Sequence, residues 1–156
     1  MIEYNARFGD PEALNILPLL KSDFIKICQA ILAGTLTKEM VEFEHKATVC
    51  KYITPRSYPD GKKEVGKEFF VPTDLPSNVH CYYGDITMNE KGKLLLGSSR
   101  SVGIVGIGDT LEEAESAAQS ICAQATGPVR FRADIGATET VQKRIDLVNK
   151  ILSGNY

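Results

Sequence analysis

The first eight residues alternate between apolar and polar side chains. Apolar residues occupy the even positions from 2 to 8, and Glu3, Asn5 and Arg7 lie between them. A period of two predicts a strand from Ile2 to Phe8 with one apolar and one polar face. The segment Gly9-Asp10-Pro11-Glu12 that follows predicts a turn.

A helical pattern follows this turn and is interrupted once. Pro11 is suited to the first helical position, and Pro18 breaks the pattern. The helix resumes after Ser22 or Asp23, either of which is a good N-cap. Gly34 is the predicted stop, because glycine readily adopts the left-handed conformation that ends helices.

The composition changes after residue 34, and the rest of the chain predicts short strands followed by two helices. The loop 55–66, rich in Pro, Gly and Lys, is either a mobile connection or a binding loop. Hairpin-length connections favour antiparallel pairing. The predicted strands are Ala47–Thr54, Phe69–Val71, His80–Met88, Lys93–Gly97, Ser101–Ile107 and Val129–Arg132.

The helix after residue 109 carries a capping box, in which Thr110 and Glu113 each bond the other's backbone N–H. A last helix is predicted from Thr140 to Leu152. The fold class is therefore α+β, a mainly antiparallel sheet with helices packed on it, preceded by a separate strand–helix segment. The predicted helix at 110 buries one apolar face, formed by Leu111, Ala114, Ala117, Ala118, Ile121 and Cys122.

Composition and charge exclude several function classes. The 156 residues are 43% hydrophobic with a net charge of −2, which gives no electrostatic footprint for nucleic acid or an anionic membrane. No apolar stretch is long enough to span a bilayer, and no signal peptide is apparent. The cysteines predict reduced core thiols of a cytoplasmic protein, since none has metal-ligand spacing: Cys28, Cys50, Cys81 and Cys122. No function is assigned to His45 or His80.

The polar face of the first strand carries the candidate chemistry. Side chains at positions 3, 5 and 7 of a strand project from one face, about 6.5–7 Å apart. The carboxylate of Glu3 and the amide oxygen of Asn5 are ligands that Mg²⁺ prefers. The guanidinium of Arg7 can pair with a phosphate or a carboxylate. From the residues alone, an exposed polar strand face and a metal site both fit this pattern.

The longer segment changes this picture, because Glu3-x-Asn5-x-Arg7 resembles the last metal-binding strand of the ATP-grasp fold. Continued as Arg-Phe-Gly-Asp-Pro-Glu, it resembles the glycinamide ribonucleotide synthetase family. Two departures are Leu14, where the family often has glutamine, and Ser98-Ser99, where it often has two glycines. Further motifs fall in the family's order over essentially the whole chain: Leu20-Lys21-Ser22-Asp23, Ser57-Tyr58-Pro59, Gly108 to Ala114, and Arg132-Ala133-Asp134-Ile135-Gly136.

The resemblance implies a ligase of purine biosynthesis, in which ATP phosphorylates the glycine carboxylate. The amine of 5-phosphoribosylamine then attacks the glycyl phosphate to give glycinamide ribonucleotide. By the same resemblance, Glu3 and Asn5 are ligands of Mg²⁺ or Mn²⁺, and Arg7 stabilises the transferring phosphoryl group. Asp10 and Glu12 are expected to contact the glycine ammonium or phosphoribosylamine. Residues 1–40 then end the ATP-grasp catalytic domain, and 41–156 form the family's C-terminal domain.

Two further segments leave alternatives open. Arg132 and Asp134 either contact substrate or form a salt bridge before the last helix. The glycine-rich run 103–108 lacks the spacing of a phosphate loop, and it is interpreted as a strand with a tight turn. Its glycines permit close approach by another backbone. The pair Lys62-Lys63 is expected to be solvated.

The nucleotide-binding lobes of such a ligase have no counterpart here. The chain is therefore expected to be inactive without an N-terminal portion that binds most of the ATP. Whether it is a separately encoded subunit or an excised piece stays open. One alternative is a non-catalytic interaction module that self-associates through an exposed strand edge. Another is an ATP-grasp enzyme for a different amine or carboxylate, which the Gly-Asp-Pro-Glu continuation disfavours.

Overall fold

The computed structural model describes residues 6–154. Within it the chain forms two compact units, which meet in sequence between Lys46 and Ala47. The boundary predicted from the sequence lies instead at residue 40. The second unit contains the sheets and most of the buried side chains.

The first unit is helical over its described residues. Helix α1 covers Glu12–Ile16, and a 3-10 turn covers Leu17–Leu19, where Pro18 interrupts the α-helix. Helix α2 covers Phe24–Ala33, and a second 3-10 turn covers Lys38–Met40. These elements reproduce the predicted broken helix.

Both ends of α2 are capped as predicted. The Asp23 carboxylate accepts from the backbone N–H groups of Ile25 at 2.9 Å and Lys26 at 3.2 Å. Gly34 has a φ of 65°, in the left-handed region. The cap choice between Ser22 and Asp23 is thus resolved, because the Ser22 hydroxyl accepts instead from the backbone N–H of Glu42 at 2.8 Å.

The predicted strand from Ile2 to Phe8 lies mostly outside the described residues. Its described end, residues 6–8, is not a strand, and the backbone bends at Arg7. The following helix begins at Glu12, one residue later than predicted, with Pro11 as its N-cap. The bend leads the chain directly into the turn, so the regular alternation of side chains ends before residue 8.

The second unit is built on two antiparallel sheets. The strands are β1 (Ala47–Pro55), β2 (Glu68–Phe69), β3 (Val79–Tyr83), β4 (Ile86–Met88), β5 (Leu94–Leu96), β6 (Val102–Gly108) and β7 (Val129–Arg130). The four-stranded sheet has the order β3-β6-β1-β7, and the three-stranded sheet has the order β2-β5-β4. This confirms the predicted mixed fold with antiparallel pairing.

The prediction of one strand from His80 to Met88 is wrong. The chain leaves the four-stranded sheet at Gly84 and enters the other sheet, so β3 and β4 are separate strands. The Gly84 and Asp85 N–H groups donate to the carbonyls of Ser101 and Arg100, at 2.8 and 2.9 Å. These bonds to a distant segment turn the backbone at Gly84, although the strand-like sequence pattern continues through this residue.

The Asp85 side chain also closes the turn that follows β5. Its carboxylate accepts from the backbone N–H groups of Ser98 at 2.6 Å and Ser99 at 2.8 Å. A Cβ at Gly97 would lie 2.3 Å from the same carboxylate. The turn therefore depends on the backbone at residues 98 and 99 and on the missing side chain at 97.

Helix α3 (Leu111–Cys122) covers one face of the four-stranded sheet. The predicted capping box is present, with Thr110 Oγ1 accepting from the Glu113 N–H at 3.2 Å. Leu111, predicted to be buried, is 36% exposed at the first position of the helix. The residues that are buried are Ala114, Ala118, Ile121 and Cys122.

Two glycines of β6 let α3 lie directly on the strand. A Cβ at Gly106 would be 2.1 Å from the Ala114 carbonyl oxygen, and one at Gly108 would be 2.6 Å from Glu113 Cβ. The predicted strand with a tight turn is confirmed, and the backbone that approaches these glycines is that of α3. No phosphate need be invoked to explain them.

The core of the second unit lies between α3 and the two sheets. Its members include Ile53 and Ile104 from the larger sheet, Leu96 from the smaller one, and Cys122 from α3. Burial raises the pKa of the Cys122 thiol to about 12. Cys50 is also buried, whereas Cys28 and Cys81 are half-buried, so the predicted core thiols are only partly confirmed.

Helix α4 (Thr138–Leu152) ends the described chain and starts two residues before the predicted position. The Thr138 hydroxyl donates to Glu112 at 3.2 Å, which joins the first turns of α4 and α3. Beyond this turn α4 exposes Ile145, Val148, Ile151 and Leu152. Of the helices in residues 6–154, none is both long and apolar enough to cross a membrane.

Replacing Gly106 with alanine tests the close packing of α3. The added Cβ would overlap helix backbone, which cannot move aside as a flexible side chain can, so we expect the variant to lose about 3 kcal/mol of unfolding free energy or more. The control is Gly92→Ala, where φ is 75° but the space is open. There we expect a loss of about 1 kcal/mol from backbone strain alone. Urea denaturation measures both, and equal losses would contradict the packing.

Candidate functional site

The turn after the predicted metal strand brings Arg7, Asp10 and Glu12 into one short segment, and all three are exposed. Arg7 Nη1 donates to the carbonyl of Phe8 at 2.8 Å. The Glu12 side chain folds back over Gly9, because a Cβ there would lie 2.4 Å from Glu12 Oε2. The segment thus presents a cation and two carboxylates to solvent close to the predicted metal ligands in sequence.

The predicted metal ligands Glu3 and Asn5 lie outside the described residues. Within residues 6–154, no group of three or more His, Cys, Asp or Glu side chains is arranged to hold a metal ion. Their role therefore stays a prediction, and it is judged by the chemistry of the donors. A carboxylate and an amide oxygen are suitable for Mg²⁺, which takes few protein ligands and completes its shell with water and phosphate.

The segment between β7 and α4 carries the second predicted pair, Arg132 and Asp134. Arg132 Nε donates to Asp134 Oδ1 at 3.0 Å, and Arg132 Nη2 donates to Asp134 Oδ2 at 2.5 Å. The side chains are 68% and 48% exposed. The salt bridge left open by the sequence is thus formed, and its exposure leaves both charges accessible. Contact with a substrate stays a prediction.

The pair shifts the titration of both groups. The hydrogen bond from Arg132 lowers the pKa of the Asp134 carboxyl, and the bond to Asp134 raises the pKa of Arg132. A lowered carboxyl pKa stabilises the folded state at pH values above the carboxyl's ordinary pKa. That contribution is lost as the pH falls through the lowered pKa. At neutral pH the segment therefore presents an intact ion pair.

Lys51 lies beneath this segment and was not singled out by the sequence analysis. Its side chain is 0% exposed, and Nζ donates to Glu115 Oε1 at 2.7 Å, Gln119 Oε1 at 2.7 Å and the Ala133 carbonyl at 2.8 Å. A signal was present in the sequence, because Lys51 is the one charged residue of the mostly apolar β1. Glu115 and Gln119, four residues apart, lie on one face of α3.

The loop 55–66 is held at several points, which disfavours the expectation of a mobile connection. The buried Glu64 carboxylate accepts from the N–H of Ser57 at 3.1 Å and from its hydroxyl. The hydroxyl bond lowers the pKa of Glu64. Arg130 Nη2 donates to the Tyr58 carbonyl at 2.8 Å, which ties the loop to β7. Lys62 and Lys63 are exposed, as expected.

A surface cavity of about 480 Å³ lies beside the three-stranded sheet. Its walls are mostly apolar, and Glu68 and Lys93 form an ion pair of 2.8 Å at its border. None of the predicted site residues lines it. The candidate chemistry of this chain is therefore not centred on this cavity.

Comparisons with known proteins identify the family. Residues 48–138 match the family model described as phosphoribosylglycinamide synthetase, C domain. The chain is 46% identical over 154 residues to the phosphoribosylamine–glycine ligase of Methanococcus maripaludis, which covers 97% of this chain and 34% of that protein. The ligase of Methanocaldococcus jannaschii is 43% identical over 152 residues, with the same coverage.

A solved structure agrees with this assignment. The crystal structure of phosphoribosylamine–glycine ligase from Thermotoga maritima superposes with a TM-score of 0.67 and 29% identity, over 86% of this chain and 33% of that one. This chain belongs to the phosphoribosylglycinamide synthetase family and contains its C domain. It spans about a third of the length of the curated relatives it matches.

The titration of Asp134 tests the exposed ion pair. Because Arg132 stabilises the charged carboxylate, we expect an NMR titration midpoint below the ordinary value of 3.8. Arg132→Gln should return the midpoint toward that value. The matched control is Arg130→Gln, because Arg130 donates to Tyr58 and not to Asp134. An Asp134 midpoint that does not change in Arg132→Gln would show that the pair does not form in solution.

Proposed function

We propose that this chain is the C-terminal part of a cytoplasmic phosphoribosylamine–glycine ligase, which joins glycine to 5-phosphoribosylamine in de novo purine biosynthesis. One observation carries the proposal: relatives with this name align with 97% of the chain at 46% identity. The motif Glu3-x-Asn5-x-Arg7, with the Gly-Asp-Pro-Glu continuation, supports it independently of the aligned length.

The reaction requires two successive transfers at the glycine carboxylate. In the first, a carboxylate oxygen attacks the γ-phosphorus of ATP, and the bond from that phosphorus to the bridging oxygen of ADP breaks. In the second, the amine of phosphoribosylamine attacks the carbonyl carbon of the glycyl phosphate. The amide forms, inorganic phosphate leaves and the amine loses a proton. The first transfer brings two anions together, so it needs cationic groups held in place.

Glu3 and Asn5 supply oxygen donors that suit Mg²⁺ or Mn²⁺, and we assign them as the metal ligands of this chain. A bound divalent cation would offset the negative charge of the phosphates during transfer. The Glu3 carboxylate would bring one unit of charge to the metal, and the Asn5 oxygen would bring a neutral dipole. The two residues leave most of the coordination shell to phosphate oxygens and water.

Arg7 is the residue of this chain that we assign to the phosphoryl group itself. The planar guanidinium suits two oxygens of a phosphate at once. Its Nη1 is held by the Phe8 carbonyl at 2.8 Å, which limits the freedom of the side chain while the group stays exposed. This arrangement supports a role in stabilising charge during transfer.

The remaining charged residues of the two segments are assigned to substrates. The carboxylates of Asp10 and Glu12 are suited to the glycine ammonium or to the amine of phosphoribosylamine. Arg132 is suited to a phosphate group, and Asp134 holds it by two hydrogen bonds. These assignments rest on charge and exposure, and each can be tested by substitution.

The first unit has little core of its own, which supports its assignment to a larger catalytic domain. Of residues 6–46 only Ala30 is buried, whereas Ile25, Ile31 and Leu32 are exposed on α2. A segment with so small an apolar core gains little stability alone. We propose that residues 1–40 complete an ATP-grasp domain whose nucleotide-binding lobes belong to an N-terminal portion, and that the chain is inactive without it.

A non-catalytic interaction module is the second candidate, and the exposed apolar residues of α4 favour it. Ile145, Val148 and Leu152 recur at spacings of three and four along the helix, as in surfaces that bind another helix. Self-association of the chain through such a surface is the corresponding expectation. Ligase activity of this chain when joined to an N-terminal portion would favour the ligase over the interaction module.

Glu3→Gln tests the metal role in an enzyme made by joining this chain to the N-terminal portion of a relative. The substitution removes the charge of one ligand, so we expect activity to fall by about a hundredfold or more. The measurement is phosphate release that depends on ATP, glycine and phosphoribosylamine. Added Mg²⁺ should restore part of the activity, because the loss is in metal affinity.

The matched control is Glu44→Gln, an exposed glutamate of the first unit that has no assigned role. It should retain full activity. The chain alone should release no phosphate, and the joined enzyme should release it. Full activity of Glu3→Gln would remove the metal assignment, and an inactive joined enzyme that is correctly folded would favour the interaction module.

A further inference from the structure

The ligase assignment does not account for the buried ammonium of Lys51. A lysine side chain with 0% exposure is unusual, since burying a charge is costly unless it is paired. All three donors of this ammonium have acceptors: Glu115 and Gln119 at 2.7 Å and the Ala133 carbonyl at 2.8 Å. The glutamate balances the charge, and the third N–H of the ammonium fixes the backbone carbonyl of Ala133.

Ala133 lies between Arg132 and Asp134, and its carbonyl belongs to the peptide that leads into Asp134. Lys51 lies on β1 and faces α3, so its bond crosses from the sheet to the segment before α4. Fixing this carbonyl fixes the plane of the peptide that joins residues 133 and 134. The directions in which the flanking side chains leave the backbone are thereby restricted.

A second contact fixes the same segment three residues later. Gly136 has a φ of 77°, and a Cβ there would lie 2.8 Å from Val49 Cγ1 and 3.3 Å from Glu115 Cγ. The segment therefore meets β1 and α3 at Ala133 and again at Gly136. Between these points it presents Asp134 and Ile135 outward, and Asp134 is paired with Arg132. Exposed charges on a loop that is anchored at two points have a defined position.

We propose that Lys51 is a positioning residue, which holds the Arg132–Asp134 pair in place for a phosphate-bearing substrate through the Ala133 carbonyl. The inference rests on the proposed ligase function for the identity of that substrate, 5-phosphoribosylamine. Lys51 itself touches no reacting atom. Its ammonium is bonded inside the protein, where Glu115 and Gln119 hold it in line with the Ala133 carbonyl.

The first test measures the position of the pair in this chain by NMR, without substrate. Lys51→Met keeps most of the length of the side chain but removes the donor to Ala133. We expect the Arg132 Nε–H signal to move toward that of a free guanidinium. The Arg132 signal decides, because the charge of Lys51 itself contributes to the lowered pKa of Asp134, and its removal would raise the Asp134 midpoint without any movement of the pair. The control is Thr54→Val, which removes another buried hydrogen bond of β1, from the Thr54 hydroxyl to Arg130. The control should leave the Arg132 signal unchanged.

The second test measures kinetics in the joined enzyme. Loss of positioning should raise the KM for phosphoribosylamine about tenfold or more in Lys51→Met, with kcat changed less than about twofold. The double variant Lys51→Met/Arg132→Ala should be no worse than Arg132→Ala alone, because Lys51 acts through Arg132. If the role of Lys51 were purely structural, Lys51→Met would lower the folded fraction and with it the apparent kcat. The effects of Lys51→Met and Arg132→Ala on kcat/KM would then be additive in the double variant.

The outcomes separate the inference from the function on which it rests. An unchanged Arg132 Nε–H signal in Lys51→Met would overturn the positioning role, whatever the kinetics. If this signal moves but Arg132→Ala leaves the KM unchanged, the assignment of Arg132 to the substrate is wrong and so is the inference drawn from it. Should Lys51→Met fail to fold, Lys51→Met/Glu115→Gln removes the unpaired carboxylate as well, and the same signal decides.

Discussion

The constraint on which the second unit depends is the need to satisfy one buried ammonium. Lys51 enters the interior from β1, so three acceptors must be brought to it from other parts of the chain. Helix α3 supplies Glu115 and Gln119 one turn apart, and the segment before α4 supplies a carbonyl. Removing one partner of a buried charge typically costs about 3–5 kcal/mol, so the three elements are fixed relative to one another. The segment Arg132-Ala133-Asp134-Ile135-Gly136 is one of the elements thus fixed.

The glycines of β6 are the geometric condition for that arrangement. Lys51 lies opposite Ile104 in the sheet, two residues from Gly106. Because Gly106 and Gly108 have no side chain, the backbone of α3 rests on the strand itself. At an ordinary helix–sheet distance the side chains of Glu115 and Gln119 would start farther from β1. The close contact of α3 with the β6 glycines therefore also brings Glu115 and Gln119 within reach of Lys51.

The sequence predicted features set by neighbouring residues and missed those set by distant ones. The capping box at Thr110, the cap at Asp23 and the stop at Gly34 each need only a few adjacent residues, and all are present. The break between β3 and β4 depends on bonds from Gly84 and Asp85 to residues more than ten positions away, which no local pattern contains. Of the candidate site, the sequence named Arg132 and Asp134 as a salt bridge or a substrate contact. It did not name Lys51, because the partners of a buried charge are visible only after folding.

The turn closed by Asp85 has a consequence for how this family can vary. Its carboxylate binds main-chain N–H groups of Ser98 and Ser99, which every residue except proline can provide. Gly97 has no such freedom, because any side chain there would collide with the carboxylate. Evolutionary drift at 98 and 99 is thus compatible with an unchanged backbone, while drift at 97 would have to be accompanied by a change at Asp85.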